Sequence, residues 1–207
     1  LVCEYLGVEQ EEIERLRNDK IHLQAAIDAL ARAEAQASHD AVHDALTGLR
    51  NRSLLRDRFR QAIALCERQK RQIAVLFLDL DDFKRVNDDF GHIVGDKVRR
   101  DVAAHLQATI RTADTACRYG GDEFVVLLTD IEPATSATDW ATMFCQRLAA
   151  QPRFGGINTG LCASIGVAVY PDDGHEWEDL VRHADAAMYR ARAQHRSARQ
   201  RLGADLA

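Results

Sequence analysis

The run Ile73-Ala-Val-Leu-Phe-Leu78 is apolar without a break and closes on a carboxylate, Asp79. A short stretch of that kind predicts a buried strand. A strand that ends on an acid carries the acid out of the sheet on a rigid stem. Asp81 and Asp82 follow at once, so the strand runs into a strongly acidic loop. Downstream, Cys117-Arg-Tyr119, the pair Gly120-Gly121 and Asp122-Glu-Phe-Val-Val-Leu-Leu128 read as strand, tight glycine turn and strand, a hairpin. Cys162–Tyr170 reads as another strand, and Pro171-Asp-Asp-Gly174 as a turn.

Helical patterns fill the intervals. Leu54, Leu55, Phe59, Ile63 and Cys66 share one face of a helix. Further helices are expected over about Phe83–Asp89, Gly95–Arg111, Asp139–Ala150 and Glu176–Arg196. The order contains the βαββαβ core of a split-βαβ sheet. The expected class is therefore α+β, a mainly antiparallel sheet with helices over one face.

A different pattern precedes this core. Residues Val8 to Ser38 contain neither Pro nor Gly. With Ile13 at a, heptad d and a positions fall on Leu16, Lys20, Leu23, Ile27 and Leu30, the seam of a coiled coil. Glu12 at g and Arg17 at e suit pairing across a parallel dimer, and Lys20 at a helps fix register. The alternative is a single amphipathic helix packed on its own domain. The expected division is a coiled-coil signalling helix over 1–39, a globular domain over 40–200 and a tail over 201–207. The chain opens on Leu1, which reads as a piece of a longer protein with a sensor upstream.

Charge and composition narrow the function. A formal net charge of −5 argues against a nucleic-acid partner. No apolar run reaches the roughly 18 residues of a membrane span, so no direct membrane insertion is expected. The 5 cysteines are scattered, without a CxxC pair, which fits reduced thiols and a cytoplasmic location. His39, His43 and His92 do not make a metal set.

The chemistry concentrates in carboxylates. If the hairpin pairs beside the first strand, Asp79 and Asp122 face one pocket with Glu123 nearby. Ionised acids that close repel one another, and a divalent cation removes the conflict. Oxygen-only ligands favour Mg2+ (or Mn2+), completed by substrate phosphates and water. The plainer reading is an acidic surface turn, which the acidic strand end upstream weighs against.

At this point the chain resembles a family. Arg118-Tyr-Gly-Gly-Asp-Glu-Phe124 is similar to the signature turn of the GGDEF family, the diguanylate cyclases. Asp44-Ala-Leu-Thr-Gly-Leu-Arg-Asn-Arg52 resembles its opening motif, with Arg50 where proline is usual. Leu78–Lys84, Asn87-Asp88, Gly91-His92, Gly95-Asp96, Ala163–Ala168 and Ala184–Tyr189 follow its spacing. The resemblance implies the palm-like nucleotidyl-cyclase fold and condensation of two GTP into cyclic di-GMP. It implies metal binding by Asp79, the Leu80 carbonyl, Asp122 and Glu123, with Asp122 and Glu123 as catalytic groups. It implies substrate contacts from Phe83, Lys84, Asn87, Asp96, Gly120 and Gly121. Asn87 and Asp96 would read guanine, and the two glycines would cradle the triphosphate. Where the family carries a lysine and a later arginine on its last helix, this chain has Arg192 and Arg196, with His195 and Ser197 replacing a glycine and an asparagine. Phosphate contact survives; the helix-end geometry is put in doubt.

Arg111-Thr-Ala-Asp114 has the RxxD spacing of the family's product-inhibition site, to which Arg147 would add a contact across a homodimer. The implied partners are GTP, cyclic di-GMP and a second copy. The competing expectation is an inactive GGDEF domain serving as a cyclic di-GMP receptor or a dimeric signalling module.

Overall fold

The computed structural model describes residues 2–69, 71–131, 135–151, 153–158 and 160–204. The chain divides into two compact units, Leu1–Ala41 and Val42–Ala207. The first is one helix, α1 (Val2–Asp40). Along it Leu16, Leu23, Ile27 and Leu30 are each more than half exposed. The expected seam is thus a helical row of large apolar side chains facing water; the Ile13 side chain lies outside the described residues. Among the described residues no helix is long and apolar enough to cross a membrane.

The second unit is built on four strands, β1 (Gln72–Leu80), β2 (Thr115–Gly120), β3 (Glu123–Ile131) and β4 (Ala163–Tyr170). Their order is β2-β3-β1-β4, and every pairing is antiparallel. This is the split-βαβ arrangement, with β3 between β1 and β2. The apolar run behaves as its composition requires: β1 is central and its residues from Ile73 to Leu80 are buried.

Helices cover both faces of the sheet, and the expectation of one covered face is corrected. On one face, α3 (Phe83–Phe90), α4 (His92–Thr109) and α5 (Thr135–Ala150) bury Phe83, Val98, Leu106, Phe144 and Leu148 against Leu76, Leu78, Phe124 and Val126. On the other, α2 (Arg52–Gln69) and α6 (Trp177–Ala204) bury Leu55, Phe59, Leu180 and Met188 against Val75, Phe77, Val125 and Leu127. The physical reason stands in β1. Alternate residues of an unbroken apolar strand face opposite sides, so each side needs a cover. The backbone of α6 runs so close to β4 that a Cβ on Gly166 would lie 1.9 Å from the Ala184 carbonyl oxygen.

Several helix boundaries moved, α5 for one beginning at Thr135 rather than Asp139. Helix α4 begins at His92 rather than Gly95, because Gly91, with φ 82° and ψ 162°, makes the break. Helix α6 passes through His195 and Ser197 without interruption, since neither residue is the helix-breaking glycine.

Candidate active site

The end of β1 is set by register. Asp79 lies opposite Glu123 of β3 and opposite Ser164 of β4. These three share the face covered by α2 and α6, since they alternate with the core residues of the other face. The β2–β3 turn leans over the same strand end: the Leu80 N–H donates to the Asp122 carbonyl at 3.4 Å. The sequence therefore delivers Asp79, Asp122 and Glu123 to one place, and does so through backbone pairing.

The turn is held from outside. Gly121 has φ +50°, the backbone that a glycine-first hairpin turn requires. Arg118 Nε and Nη2 donate to the Gly121 carbonyl at 3.1 and 2.9 Å, and Nη1 donates to Asp44 at 3.0 Å. Burial opposes the Asp44 charge, but hydrogen bonds from Thr47 and the Arg118 guanidinium outweigh it and hold the carboxyl below its usual range. The Arg52 guanidinium lies 3.9 Å over the Tyr119 ring, and its Nε donates to the Tyr119 carbonyl. It also covers Gly120, where an added Cβ would meet Nη2 at 2.9 Å. Gly120 has no positive φ, so of the two glycines only Gly121 is demanded by backbone conformation.

Asp79 is in electrostatic tension. Its side chain is 9% exposed. Arg192 Nη1 approaches Oδ1 at 3.0 Å, yet without hydrogen-bond alignment: Asp79 Oδ1 and Arg192 Nε are both buried without a hydrogen-bond partner. Burial pushes the Asp79 carboxyl up to about 7; Asp122, Glu123 and Asp81 add to the rise, and Arg192 opposes it. Burial, then the charges of Asp122 and Asp185, raise Glu123 as well. A buried carboxylate oxygen with an ion-pair contact but no hydrogen bond, beside further acids, suits a hard dication. Among the described residues no three His, Cys, Asp or Glu side chains form a metal cage by themselves. The donor set fits an ion that takes the rest of its shell from phosphate and water.

The acidic loop is matched by α6. Ser164 Oγ donates to Asp81 Oδ1 at 2.8 Å, and His195 Nδ1 lies 3.4 Å from Asp81 Oδ2 and 3.2 Å from Ser164 Oγ. The serine proton goes to Asp81, so the imidazole donates from Nδ1. Arg192 Nε is 3.8 Å from Asp81, and Arg196 Nη2 is 3.6 Å from Asp82. Asp81, 7% exposed at its side chain, thus anchors α6 beside Asp79. Sequence reading placed Asp81 only in the acidic loop and gave neither it nor Ser164 a role at the site; the signal was the second acid of Asp79-Leu-Asp81, two residues on.

The expected guanine residues line the α3–α4 junction. Asn87 Oδ1 is buried without a hydrogen-bond partner. It sits where a Cβ on Gly95 would be, 2.1 Å away, so only glycine lets the two helices meet there. Asp96 is oriented by Arg99, whose Nη1 donates to it at 2.5 Å while the guanidinium lies 4.5 Å over the Phe83 ring. Arg99 was not foreseen. Phe83 is 2% exposed, a floor residue of this junction rather than an open contact. Lys84 is exposed on α3.

Arg111 and Asp114 stand apart from this cluster. They line a cavity of about 330 Å³. Asp114 Oδ2 accepts the Arg111 N–H at 3.0 Å and Oδ1 accepts the Thr129 N–H at 3.0 Å. Arg147 is exposed in the last turn of α5 and does not line that cavity.

Residues 41–198 match the family described as "Diguanylate cyclase, GGDEF domain". The chain is 46% identical over 169 residues to the bifunctional diguanylate cyclase/cyclic di-GMP phosphodiesterase MucR of Pseudomonas aeruginosa, covering 82% of this chain and 24% of MucR's length. A structure of TpbB from the same species, comprising only its GGDEF domain, superposes with TM-score 0.70 at 36% identity, covering 73% of this chain and 89% of that one. The coiled coil and GGDEF domain of DgcB from Caulobacter crescentus, in complex with c-di-GMP, gives TM-score 0.73 at 27% identity, covering 86% and 95%.

Proposed function

The chain belongs to the GGDEF family, and from that premise we propose that it is a diguanylate cyclase that condenses two GTP into cyclic di-GMP with release of two pyrophosphates. One observation carries the reading: Asp79 and Glu123 are directly paired across β1 and β3, with a buried Asp79 oxygen left without a hydrogen bond beside them. Asp79, Asp122, Glu123 and the Leu80 carbonyl would hold Mg2+ or Mn2+, which supplies charge stabilisation for in-line attack at an α-phosphate.

The protein's own groups have separable tasks. Asn87 and Asp96 receive the guanine edge, where a carboxylate matches the N1–H and N2–H₂ donors. The Arg99 contact keeps Asp96 facing outward. Gly120 and Gly121 present backbone to the triphosphate, and Arg118 fixes the turn through the Gly121 carbonyl. Glu123, whose affinity for protons is raised, assists in taking the proton of the attacking 3′-hydroxyl. Arg192 and Arg196 neutralise the acidic loop before substrate arrives and turn to phosphate afterwards. Lys84 adds a phosphate contact.

Each domain holds one GTP, so catalysis needs two copies facing each other. The exposed apolar row of α1 supports dimerisation through a parallel coiled coil. Such a stalk raises the effective concentration of half-sites and lets a sensor upstream regulate them. Arg111 and Asp114, with Arg147 of a second copy, would bind product and arrest the domains. Incubation with GTP and Mg2+, followed by chromatography, is expected to yield cyclic di-GMP. Binding of cyclic di-GMP without synthesis would instead identify a receptor.

A further inference from the structure

We infer that Arg50, braced by His43, is a third ligand-contacting group at the Arg111–Asp114 corner, and that the cavity there seats a phosphate–guanine half of a cyclic dinucleotide. The inference rests on the inhibitory-site reading given above and deepens it with residues outside the RxxD spacing.

The backbone at Arg50 is stitched to β2. Its N–H donates to the Ala116 carbonyl at 3.3 Å, and its carbonyl accepts the Arg118 N–H at 3.2 Å. A bridge to His43 closes the other side. The side chain therefore leaves a fixed base. Its Nη1 stands 2.5 Å from His43 Nε2. Arginine can only donate, so the imidazole accepts, and one of five guanidinium donors is used in holding the side chain in place.

The same side chain lines the cavity of about 330 Å³ that Arg111, Asp114, Gln107 and His43 also line. This volume is at the small end for ligand sites, which suits part of a dinucleotide rather than the whole. Two guanidinium groups face one carboxylate there. Both Asp114 oxygens already accept backbone N–H groups, which fixes the carboxylate, and two guanidinium groups against this one carboxylate leave a formal positive charge. Paired arginines recognise phosphate through charge-assisted, bidentate hydrogen bonds. The remaining lone pairs of Asp114 and the Gln107 amide offer acceptors to guanine N–H groups. A proline at position 50 offers no donor, so the arginine found here adds a contact that proline-bearing chains lack.

Calorimetric titration of the full chain with cyclic di-GMP tests this. Arg50→Ala is expected to weaken Kd about tenfold, Arg50→Lys by less because charge survives without the fork, and His43→Ala a few-fold through loss of the brace. Circular dichroism melts check that each variant folds; the two backbone hydrogen bonds at position 50 do not use the side chain. Unchanged affinity in Arg50→Ala and Arg50→Lys, with affinity lost in Arg111→Ala, overturns this inference alone. Unchanged affinity in Arg111→Ala as well overturns the inhibitory-site reading beneath it. GTP titrated into the wild type and Arg50→Ala is expected to bind alike; a parallel loss of GTP affinity would assign Arg50 to substrate and overturn the inference.

Discussion

Asp79 and Asp114 are the same side chain in opposite circumstances. Asp79 is nearly buried, surrounded by other acids, and keeps an oxygen with no hydrogen bond. Asp114 is half-buried and accepts a backbone N–H on each oxygen. One carboxylate is held in tension that a cation would relieve; the other is a finished piece of loop structure that presents its neighbours. The contrast teaches that a candidate catalytic acid is recognised by what it lacks, and a candidate regulatory acid by what it arranges. The proposed chemistry belongs at the first place, where a cation would relieve a buried carboxylate crowded by other acids.

The sharpest way to break the contrast is turnover. Asp79→Asn or Asp122→Ala is expected to cut cyclic di-GMP synthesis by at least roughly 1,000-fold, the scale at which catalytic electrostatic groups act, with the far-ultraviolet dichroism unchanged. Asp114→Ala should retain synthesis at low product. A steady-state assay on all three checks this, and comparable losses in each would erase the distinction. Next in size, Arg111→Ala is expected to raise the product concentration for half-inhibition by roughly tenfold or more, as loss of a charge-assisted contact implies; progress curves with added cyclic di-GMP read it directly.

Stability sharpens the comparison through sign. The folded-state Asp79 carboxyl is raised from 3.8 to about 7, so the fold favours its protonated form. The cost of ionising it is absent below about pH 4, grows as pH rises, and is complete above about pH 7. Asp79→Asn should therefore stabilise the protein at pH 8 by about 1–3 kcal/mol, with no gain at pH 4. Asp114→Ala should destabilise it at pH 8 by about 1–2 kcal/mol, since two N–H groups lose acceptors. Urea melts at the two pH values give both numbers. The smallest effect concerns the cation. Protons and metal compete for Asp79, so the Mg2+ concentration for half-maximal rate should fall several-fold between about pH 6 and pH 8. A flat response would show that Asp79 is already ionised throughout.

Local pattern carried much of this molecule. The apolar run at β1, the hairpin at Gly120-Gly121 and the heptads of α1 were legible because each is a local pattern written in neighbouring residues. The cover on both faces was legible too, in the unbroken apolarity of β1, but alternation was not followed through to its consequence. What could not be read joins distant segments. Asp44 meets Arg118 across 74 positions, and Asp81 meets His195 across 114. No spacing encodes such pairs; the sheet order creates them. Arg99 was missed for another reason: on α4 it looks like one more solvated cation, and only the packing of α3 puts the Phe83 ring beneath it.

The central claim is that the acid ending β1 and the acids at the β2–β3 turn share the same cations. Crystals grown with Mn2+ and a non-reactive GTP analogue, measured at the manganese edge, address it without a rate. The account expects an anomalous peak within about 2.3 Å of carboxylate oxygens from both Asp79 and Asp122, lost in Asp79→Asn. A peak held by one of the two acids alone, or unchanged in that variant, would contradict it.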